Sequence, residues 1–373
     1  MIKIAFVIDT IESPTAGTEK QLLLLIEHLD RTQFQPYLCV LRSSAWLETE
    51  FALCPLHILG ITSFKRLQTL ERIYAFSRFL RREGIAIVQP HFRDAGIAAI
   101  LAAKLGGVPC IIGTRRNQGY WLTPFELRLQ KFLNRWVSAF IANSRNTKEW
   151  AVKTEGIPAE KITVIYNAID LGAFARITEE DRQGVRRRWG IPEDAPVVGI
   201  VANLRPVKGI DVFLRAAAIV SRRVPVARFV IVGAGDELQR LEALTVDLGV
   251  QDAVRFTGTR TDTALLVSSF DVGVLSSHSE SFSNAVVEYL AAGIPVVSTD
   301  VGGCREALDT ESDRIVPPGD WEVLAAAICD VLERKNGRKR SAWVVDNCTV
   351  KGVMKQVEEV YAGWRPGEET RYG

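Results

Sequence analysis

The residues most able to do chemistry include a pair of glutamates around a helix start in the second half of the chain. Glu280 lies in the loop before the helix and could accept hydrogen bonds from sugar hydroxyls, and Glu288 follows eight residues later. Ser283 can cap this helix, and the N–H groups of its first turn, around Asn284 and Ala285, would attract a diphosphate. Asn284 and Glu288 share one helix face. A capped helix with a solvated glutamate is the alternative interpretation.

A basic loop lies upstream of these glutamates. Arg205 and Lys208 fall between a β-branched strand and the helix after Gly209, so both cations could reach a phosphate group. Charge-assisted hydrogen bonds of this kind contribute about 1.5–3 kcal/mol each. Cations oppose the dipole at a helix start, which favours binding over the alternative of two surface cations.

Two glycine turns also follow predicted strands. Gly233-Ala-Gly235 has Leu238 where a dinucleotide-binding motif carries its third glycine, so a tight turn is the better interpretation. Gly17 belongs to the small-residue turn Ala16-Gly17 that opens the first helix and can bring N–H groups close to an anion.

A histidine and two arginines follow predicted strands in the first half. His91 comes after the strand that ends at Val88, and Arg115 and Arg116 come after the strand over 110–113. The carboxyl ends of parallel strands meet at one edge, and ligands of such sheets bind there. The two arginines favour anion binding, whereas a structural role remains the alternative for the histidine.

Short apolar strands without polar alternation alternate with helices, which predicts α/β units with parallel sheets covered on both faces. The pattern breaks over 171–195, a charged and proline-containing stretch that we interpret as the interdomain connection. We therefore predict two doubly wound Rossmann-like domains facing across a cleft, one over 1–175 and the other over 176–354. A C-terminal helix over about 355–373 could pack back on the first domain.

Composition excludes several classes of protein. With 373 residues, 47% hydrophobic and 24% charged, the chain is neither disordered nor fibrous, and a net charge of +2 does not favour a nucleic-acid binder. The first 170 residues carry 21 Lys and Arg against 15 Asp and Glu. This excess could favour an anionic membrane surface or a phosphate-bearing substrate, and a chance excess is the alternative interpretation. The six cysteines are scattered, which argues against a zinc site and against a disulfide framework. No apolar run is long enough to span a membrane, and the N-terminal residues do not form a signal peptide. We therefore expect a cytoplasmic location.

One predicted helix, over 64–82, is amphipathic and basic. Its apolar residues fall at 64, 67, 70, 73, 76 and 80, and it has six cations against one acid. It could dock peripherally on an anionic bilayer at the inner face of the plasma membrane. A core-packing helix with a solvated basic face is the alternative.

The order of these motifs over nearly the whole chain resembles glycosyltransferase family 4, whose members are retaining, use nucleotide sugars and have the GT-B fold. The resemblance is most specific at the E-x7-E pair of Glu280 and Glu288 and at the preceding Lys208-Gly209 loop. It extends to Gly17-Thr-Glu-Lys20, Ala142-Asn-Ser144, Val164-Ile-Tyr-Asn167-Ala-Ile-Asp170, Ile231-Val-Gly-Ala-Gly235, Val254-Arg-Phe-Thr-Gly258 and Gly293-Ile-Pro-Val-Val-Ser-Thr-Asp-Val-Gly-Gly303.

The resemblance implies that the domain over 1–175 is the acceptor-side domain and that the domain over 176–354 binds the donor. It also implies roles for these residues. Glu280 would hold hydroxyls of the donor sugar, Glu288 would hold the ribose, and Lys208 with Arg205 would neutralise the diphosphate leaving group. His91 matches a family position for a residue that assists the reaction. The other implied donor-site residues are Gly17, Asn203, Gly233, Arg260, Asp262, Phe282, Ser283, Asn284 and Ala285, and the implied acceptor-side residues are Arg115 and Arg116.

Two positions depart from the family pattern. The family commonly has an arginine five residues before the lysine, where this chain has Asn203, so Arg205 must substitute for it. It also commonly has a histidine after the strand that ends at Gly113, where this chain has Arg115.

The motifs and the resemblance together predict a hexosyltransferase that uses a UDP- or GDP-sugar without a cofactor, and the resemblance implies retention of configuration. The chain has no D-x-D pair, so no metal is expected and cations must meet the charge of the leaving diphosphate. The resemblance implies a lipid-linked glycan of bacterial surface polysaccharide as acceptor. The alternatives are a nucleotide-sugar epimerase on the same fold and a nucleotide-sugar-binding protein without catalysis.

Overall fold

The computed structural model describes residues 1–15, 17–119, 122–334 and 338–363. It divides into two compact units, Met1–Ala168 with the chain from Val350 onward, and Ile169–Thr349. Each unit is built on a parallel sheet flanked by helices, as the alternation of short apolar strands with helices predicts. The prediction of two doubly wound α/β domains is confirmed.

Within its described residues, the first unit holds seven strands. They are β1 (Ile2–Ile8), β2 (Phe34–Val40), β3 (Leu56–Ile58), β4 (Ile87–Pro90), β5 (Cys110–Arg115), β6 (Ala139–Ala142) and β7 (Ile162–Val164). Their order in the sheet is β3-β2-β1-β4-β5-β6-β7, and each pairing that the structure describes is parallel. Side chains alternate across β1, so Phe6 enters the core on one face while Ala5 and Val7 enter the core on the other.

Helices connect these strands and cover both faces of the sheet. They are α1 (Gly17–His28), α2 (Ala45–Thr49), α3 (Gln68–Glu83), α4 (Arg93–Gly106), α5 (Pro124–Asn134) and α6 (Arg145–Trp150), which continues into a π-helical turn over Ala151–Glu155. In the described part of the chain, no helix combines the length and apolarity that crossing a membrane requires.

The second unit repeats this plan, with six strands in the part of it that the structure describes. They are β8 (Val197–Val201), β9 (Arg228–Val232), β10 (Val254–Phe256), β11 (Val272–Leu275), β12 (Val296–Thr299) and β13 (Arg314–Val316), in the parallel order β10-β9-β8-β11-β12-β13. The helices are α7 (Leu171–Ala175), α8 (Glu179–Arg188), α9 (Ile210–Arg223), α10 (Leu238–Asp247), α11 (Thr263–Ser268), α12 (Asn284–Ala292), α13 (Trp321–Arg334) and α14 (Ala342–Asn347).

The charged stretch over 171–195 is not an interdomain connection, because the structure builds it into the second unit. Its residues form α7 and α8, and α8 packs against α11. Buried Arg186 donates hydrogen bonds to the Ser269 carbonyl and to Asp271 Oδ2, both at 2.8 Å. The division between units falls after Ala168 rather than after 175, since a charge run on a helix does not by itself show which unit that helix contacts.

The C-terminal helix α15 (Val350–Ala362) belongs to the first unit, where it packs against α1. It begins five residues earlier than the sequence predicts, and residues 364–373 lie outside the described part of the chain. Fully buried Tyr361 fixes its end, because the ring packs edge-on against Phe34 and the hydroxyl donates to Gln89 Oε1 at 2.5 Å.

We expect the docking of α15 to depend on Tyr361. Substituting Tyr361→Phe leaves the buried Gln89 oxygen without this donor and should lower the free energy of unfolding by about 1–3 kcal/mol. The exposed Lys355→Ala substitution on the same helix serves as the control and should change it by less than about 0.5 kcal/mol. Chemical denaturation measures both, and equal stability of the two variants would contradict this role for Tyr361.

Candidate active site

Each sheet has one place where the order of its strands reverses, between β1 and β4 in the first unit and between β8 and β11 in the second. Connections on either side of such a point leave toward opposite faces of the sheet, and ligands of open α/β sheets bind in the crevice that results. In the second unit the loops after β8 and β11 are the ones that carry Lys208 and Glu280. The two strongest sequence signals thus come from the two sides of one reversal point.

An ion pair joins these two loops. Lys208 Nζ donates to Glu280 Oε1 at 2.6 Å, and Ser277 Oγ donates to the same oxygen at 2.8 Å. The side chains are 25% and 12% exposed, so the pair is partly shielded from water yet accessible to a ligand. The structure therefore places the predicted phosphate-binding cation directly beside the predicted sugar-binding carboxylate.

Backbone contacts hold the two loops in register. The His278 N–H donates to the Val207 carbonyl at 2.8 Å, and Ser276 Oγ donates to the Lys208 carbonyl at 3.1 Å. Gly209 has a left-handed backbone with φ of +58°, and a Cβ there would lie 2.2 Å from the Ser276 carbonyl oxygen. Only glycine satisfies both conditions, so it sets the approach of one loop to the other.

The turn at Gly233 and Gly235 packs against the loop after β8. A Cβ at Gly233 would lie 2.0 Å from the Ala202 carbonyl oxygen, and one at Gly235 would lie 2.4 Å from that of Leu204. The two glycines thus allow two backbones to touch, which agrees with the tight turn that the sequence favours.

The helix after Glu280 begins as the sequence predicts. Ser283 is the N-cap residue of α12, with Oγ accepting from the Val286 N–H at 3.4 Å. Glu288 is buried one turn beyond Asn284, and Phe282 and Ala285 are buried as well. Little of the Phe282 and Ala285 side chains is accessible, so a ligand would meet these two residues through their backbone.

Tyr289 on α12 is a structural residue of the site that the sequence interpretation misses. Its Oη accepts from the Val201 N–H at 2.8 Å and donates to the Val274 carbonyl at 3.3 Å. Burial raises the pKa of this hydroxyl far above its usual range. The side chain bridges β8 and β11 where the strand order reverses, and so positions both functional loops.

The remaining donor-side predictions fall on the surface of the same sheet edge. Asn203 and Arg205 are exposed, and among the contacts described none joins the Arg205 side chain to Lys208 or Glu280. Arg260 and Asp262 pair with each other at 2.8 Å in the loop after β10.

In the first unit, His91 is buried directly after β4. It is 1% exposed, and its backbone N–H donates to the Val7 carbonyl at 2.7 Å. The ring nitrogen Nδ1 has no hydrogen-bond partner among the described residues. Burial, reinforced by the charge of Arg116, lowers its pKa to about 3. The ring is therefore neutral at physiological pH and cannot act there as an imidazolium acid.

A cavity of about 370 Å³ opens at the same edge of the first unit. Among its lining residues are Asp9, Thr18, Phe92, Arg116, Trp150 and Glu155. Asp9 Oδ1 accepts from the Ala95 N–H at 2.8 Å, and burial raises the pKa of this carboxyl. Gly17 begins α1 next to Thr18, while Ala16 lies outside the described residues.

The two predicted acceptor-side arginines line this cavity but are held within the fold. Arg115 donates from Nη2 to buried Glu155 Oε2 at 2.7 Å and to Asn134 Oδ1 at 2.8 Å. Arg116 donates to Asn167 Oδ1 at 2.7 Å, and burial lowers its pKa to about 10, so it stays charged at neutral pH. The charge of Arg115 is balanced by Glu155 before any ligand arrives.

Sequence reasoning misses Asp9 and Glu155, for different reasons. Asp9 follows the last residue of β1, so the argument from strand ends that selects His91 could also have selected it. Glu155 lies 40 residues from Arg115, and no spacing rule connects them.

Comparison with known proteins identifies the family. Residues 15–173 match the family described as Glycosyltransferase Family 4, and residues 181–344 match the family described as Glycosyl transferases group 1. The chain belongs to glycosyltransferase family 4. The two matches cover the two units in turn, so the family resemblance seen in the motifs is confirmed.

The individual relatives have low sequence identity to this chain. A D-inositol 3-phosphate glycosyltransferase of Mycobacteroides abscessus is 33% identical over 211 residues, which are 54% of this chain and 46% of that protein. The UDP-Gal:alpha-D-GlcNAc-diphosphoundecaprenol alpha-1,3-galactosyltransferase of Escherichia coli is 27% identical, over 74% of this chain and 73% of that protein. The chain spans about half the length of the first curated relatives it matches.

Solved structures confirm the GT-B fold of this family 4 chain. Anabaena HepE, solved in complex with UDP, superposes with a TM-score of 0.85 over 97% of this chain and 100% of that one. Sequence identity is 21%, so this likeness concerns the fold alone.

The neutral state of His91 predicts a pH dependence of stability. Its pKa is about 3 in the folded protein and near 6.5 when unfolded, so only the unfolded chain gains this proton as the pH falls below 6.5. Stability from this group is complete above that pH and is lost towards pH 3, at about 1.4 kcal/mol per pH unit.

Comparing His91→Gln with wild type by denaturation between pH 7 and pH 4 tests this expectation. The substitution should make the unfolding free energy fall less between pH 7 and pH 4, because the uptake of one proton by the unfolded chain no longer contributes to that fall. Exposed His28→Gln on α1 is the matched control and should leave the slope unchanged. A His91→Gln slope equal to that of wild type would show that the histidine is not buried in its neutral form.

Proposed function

We propose that this protein is a retaining glycosyltransferase that moves a hexose from a UDP- or GDP-sugar to a hydroxyl group of an acceptor. The observation that carries the proposal is the Lys208–Glu280 pair at the strand reversal of the second unit. It puts a cation for a diphosphate and a carboxylate for sugar hydroxyls within one hydrogen bond of each other. A nucleotide sugar carries its diphosphate and its sugar hydroxyls in adjacent positions.

The reaction breaks the bond between C1 of the sugar and the oxygen of the β-phosphate. The bonding electron pair stays on that oxygen, C1 forms a bond to the acceptor oxygen, and the acceptor proton is transferred to the departing diphosphate. Negative charge grows on the diphosphate as the bond breaks, so fixed positive groups accelerate this step. Retention of configuration at C1 is part of the proposal.

Lys208 supplies the main positive charge without a metal ion. Free of ligand, its ammonium group is held by Glu280 and is therefore already positioned for a phosphate oxygen. The positive end of the α12 dipole, beyond Ser283, adds to this field. Exposed Arg205 lies two residues beyond the position where the family has its arginine and can turn toward the diphosphate when it binds.

Glu280 binds the sugar and Glu288 the nucleotide ribose. Both described contacts of the Glu280 carboxylate are made by Oε1, so Oε2 remains for a sugar hydroxyl. Arg260 and Asp262, in the loop after β10, border the base.

Relatives support a UDP donor and a lipid-linked acceptor. The Escherichia coli relative is named for transferring galactose from UDP-galactose to a sugar on diphosphoundecaprenol, and HepE is solved with UDP. We assign a lipid-linked glycan of a bacterial surface polysaccharide as the acceptor class, with the sugar transferred on the cytoplasmic side of the membrane.

A panel of UDP- and GDP-sugars tests this function without knowledge of the acceptor. Saturation-transfer NMR identifies which donor binds, and slow hydrolysis to the free nucleoside diphosphate shows activation of the leaving group. Retention predicts that the sugar released first keeps the anomeric configuration of the donor. Conversion of the donor to its epimer would instead identify an epimerase, and binding without release would identify a binding protein.

The Lys208→Ala variant should release nucleoside diphosphate about 10²–10³-fold more slowly than wild type, because the charge that stabilises the leaving group is gone. Arg222→Ala is the matched control, since Arg222 is an exposed cation at the far end of the helix that follows the same loop, and its rate should equal that of wild type. Wild-type release by Lys208→Ala would exclude this site.

The surface of α3 supports peripheral contact with an anionic membrane. Ile73, Phe76 and Leu80 of its apolar stripe are buried in the core, whereas Leu67 and Leu70 are 84% and 65% exposed. One end of the stripe therefore packs in the core, as the core-packing alternative expects, whereas the other end faces solvent. Exposed apolar residues among the six cations of 64–82 fit the interface of an anionic bilayer.

Vesicle co-sedimentation tests this contact. We expect binding to vesicles containing phosphatidylglycerol and weaker binding to phosphatidylcholine alone, with reversal at high salt. The double variant Leu67→Ser with Leu70→Ser should lose most of the binding, while Val246→Ser, an exposed apolar position of the second unit, should retain it. Equal sedimentation with both lipids would exclude docking on an anionic surface.

A further inference from the structure

The loop that carries Glu280 has a second neighbouring loop besides the one that carries Lys208. Its strand, β11, pairs with β8 on one side and with β12 on the other, so the loop after β11 lies between the loops that follow those strands. The loop after β8 contacts Glu280 through the Lys208 ammonium group. The loop after β12 contacts the same segment through its backbone and one hydroxyl group.

The end of β12 holds two carbonyl groups of the segment over 277–281. Thr299, the last residue of β12, donates from Oγ1 to the Ser277 carbonyl at 2.8 Å. The Gly303 N–H donates to the Ser281 carbonyl, also at 2.8 Å. Glu280 lies between these two carbonyls, so the backbone that carries its carboxylate is fixed at both ends of a short segment.

Gly302 allows the two loops to approach at Glu280 itself. Its backbone is left-handed, with φ of +54°, and a Cβ there would lie 2.2 Å from the Glu280 carbonyl oxygen. Any side chain at this position would displace the Glu280 backbone. The closest approach of the loop after β12 thus falls on the residue that carries the carboxylate.

The hydroxyl of Thr299 is buried where an apolar side chain would also fit. Thr299 and Ser277 are each 1% exposed, so neither side chain is open to a ligand. Valine has nearly the same shape as threonine and would fill a buried strand end without a polar group that must find a partner. The hydroxyl therefore serves a directional contact, and the Ser277 carbonyl is the group that it meets.

From Ser277 the chain of contacts reaches the carboxylate. Ser277 Oγ donates to Glu280 Oε1 at 2.8 Å, so Thr299 holds the backbone of the residue whose hydroxyl holds the carboxylate. Lys208 donates to the same oxygen. With Oε1 held in this way, the direction in which Oε2 points depends on where the segment over 277–281 lies.

We infer that Thr299 is a positioning residue of the donor site, which acts through Ser277 to orient Glu280 Oε2 toward the sugar of a nucleotide sugar. The identity of the ligand rests on the proposed function, whereas the support of the segment over 277–281 rests on the contacts themselves. Thr299 governs the affinity for the sugar and not that for the nucleotide, because the loop of Lys208 and the start of α12 have their own supporting contacts.

Calorimetric titration of the full chain with nucleotides and nucleotide sugars tests the inference. The probes are UDP, UDP-glucose and UDP-galactose, with GDP and GDP-mannose as the guanosine pair. We expect wild type to bind at least one nucleotide sugar more tightly than its nucleotide. Thr299→Val should bind that nucleotide sugar about three- to tenfold more weakly, since one hydrogen bond is lost, and should bind the nucleotide as wild type does. Thr299→Ser keeps the hydroxyl and should restore the affinity.

Thr245→Val is the matched control for the loss of a buried hydroxyl. Thr245 is a buried threonine of α10 in the same unit, and its Oγ1 donates to the Glu242 carbonyl at 2.7 Å. This variant should bind the nucleotide and the nucleotide sugar as wild type does. Without any ligand, Thr299→Val should speed amide hydrogen exchange over 277–281, while Thr245→Val should leave it unchanged.

These measurements distinguish failure of this inference from failure of the proposed function. If wild type binds no nucleotide, the proposed function fails, and hydrogen exchange over 277–281 still decides whether Thr299 holds this segment. If Thr299→Val keeps the wild-type ratio of affinities for nucleotide sugar and nucleotide, the inference is overturned and the donor site stands. A wild type that binds nucleotide sugars no more tightly than nucleotides would also overturn it, because no sugar contact would remain to be oriented.

Discussion

The parallel pairing of the strands is the constraint on which the rest of this structure depends. Parallel neighbours need a crossover connection, so the helices lie on the faces of each sheet and all strands end at one edge. Loops meet at that edge, and they leave room for a ligand only where the strand order reverses, between β1 and β4 and between β8 and β11. Lys208 and Glu280 come from one of these points, and Asp9 and Phe92 come from the other.

The Lys208–Glu280 pair is better explained by function than by stability. Partly exposed ion pairs contribute only about 0–1 kcal/mol to folding. Yet this pair is accompanied by a strict glycine, the Ser277 hydroxyl, one hydrogen bond between the loop backbones and one from Ser276 Oγ to the Lys208 carbonyl. These contacts fix the position of the charges before a ligand binds. A diphosphate that arrives there meets an ammonium group that need not be reorganised, and this preorganisation is the physical basis of the proposed catalysis.

The first unit also balances a basic side chain with an acidic one, as the second unit does with Lys208 and Glu280. Arg115 is compensated by Glu155, and burial keeps His91 neutral. The 370 Å³ cavity at these strand ends combines aromatic, carboxylate and amide side chains with arginines, and Arg116 among them stays charged at neutral pH.

The sequence by itself determined the fold class, the family and the two separate signals at Lys208 and Glu280, because strand, helix and cap patterns depend on neighbours within a few residues. Only the tertiary structure decided that these two side chains, 72 positions apart, lie 2.6 Å from each other. It also placed 171–195 inside the second unit and brought α15 back to the first, as Arg186 and Tyr361 show. The Arg115–Glu155 pair and the positive φ of Phe92 were likewise decided by the tertiary structure. Contacts between distant residues depend on strand order and on backbone approach, and no local pattern encodes either.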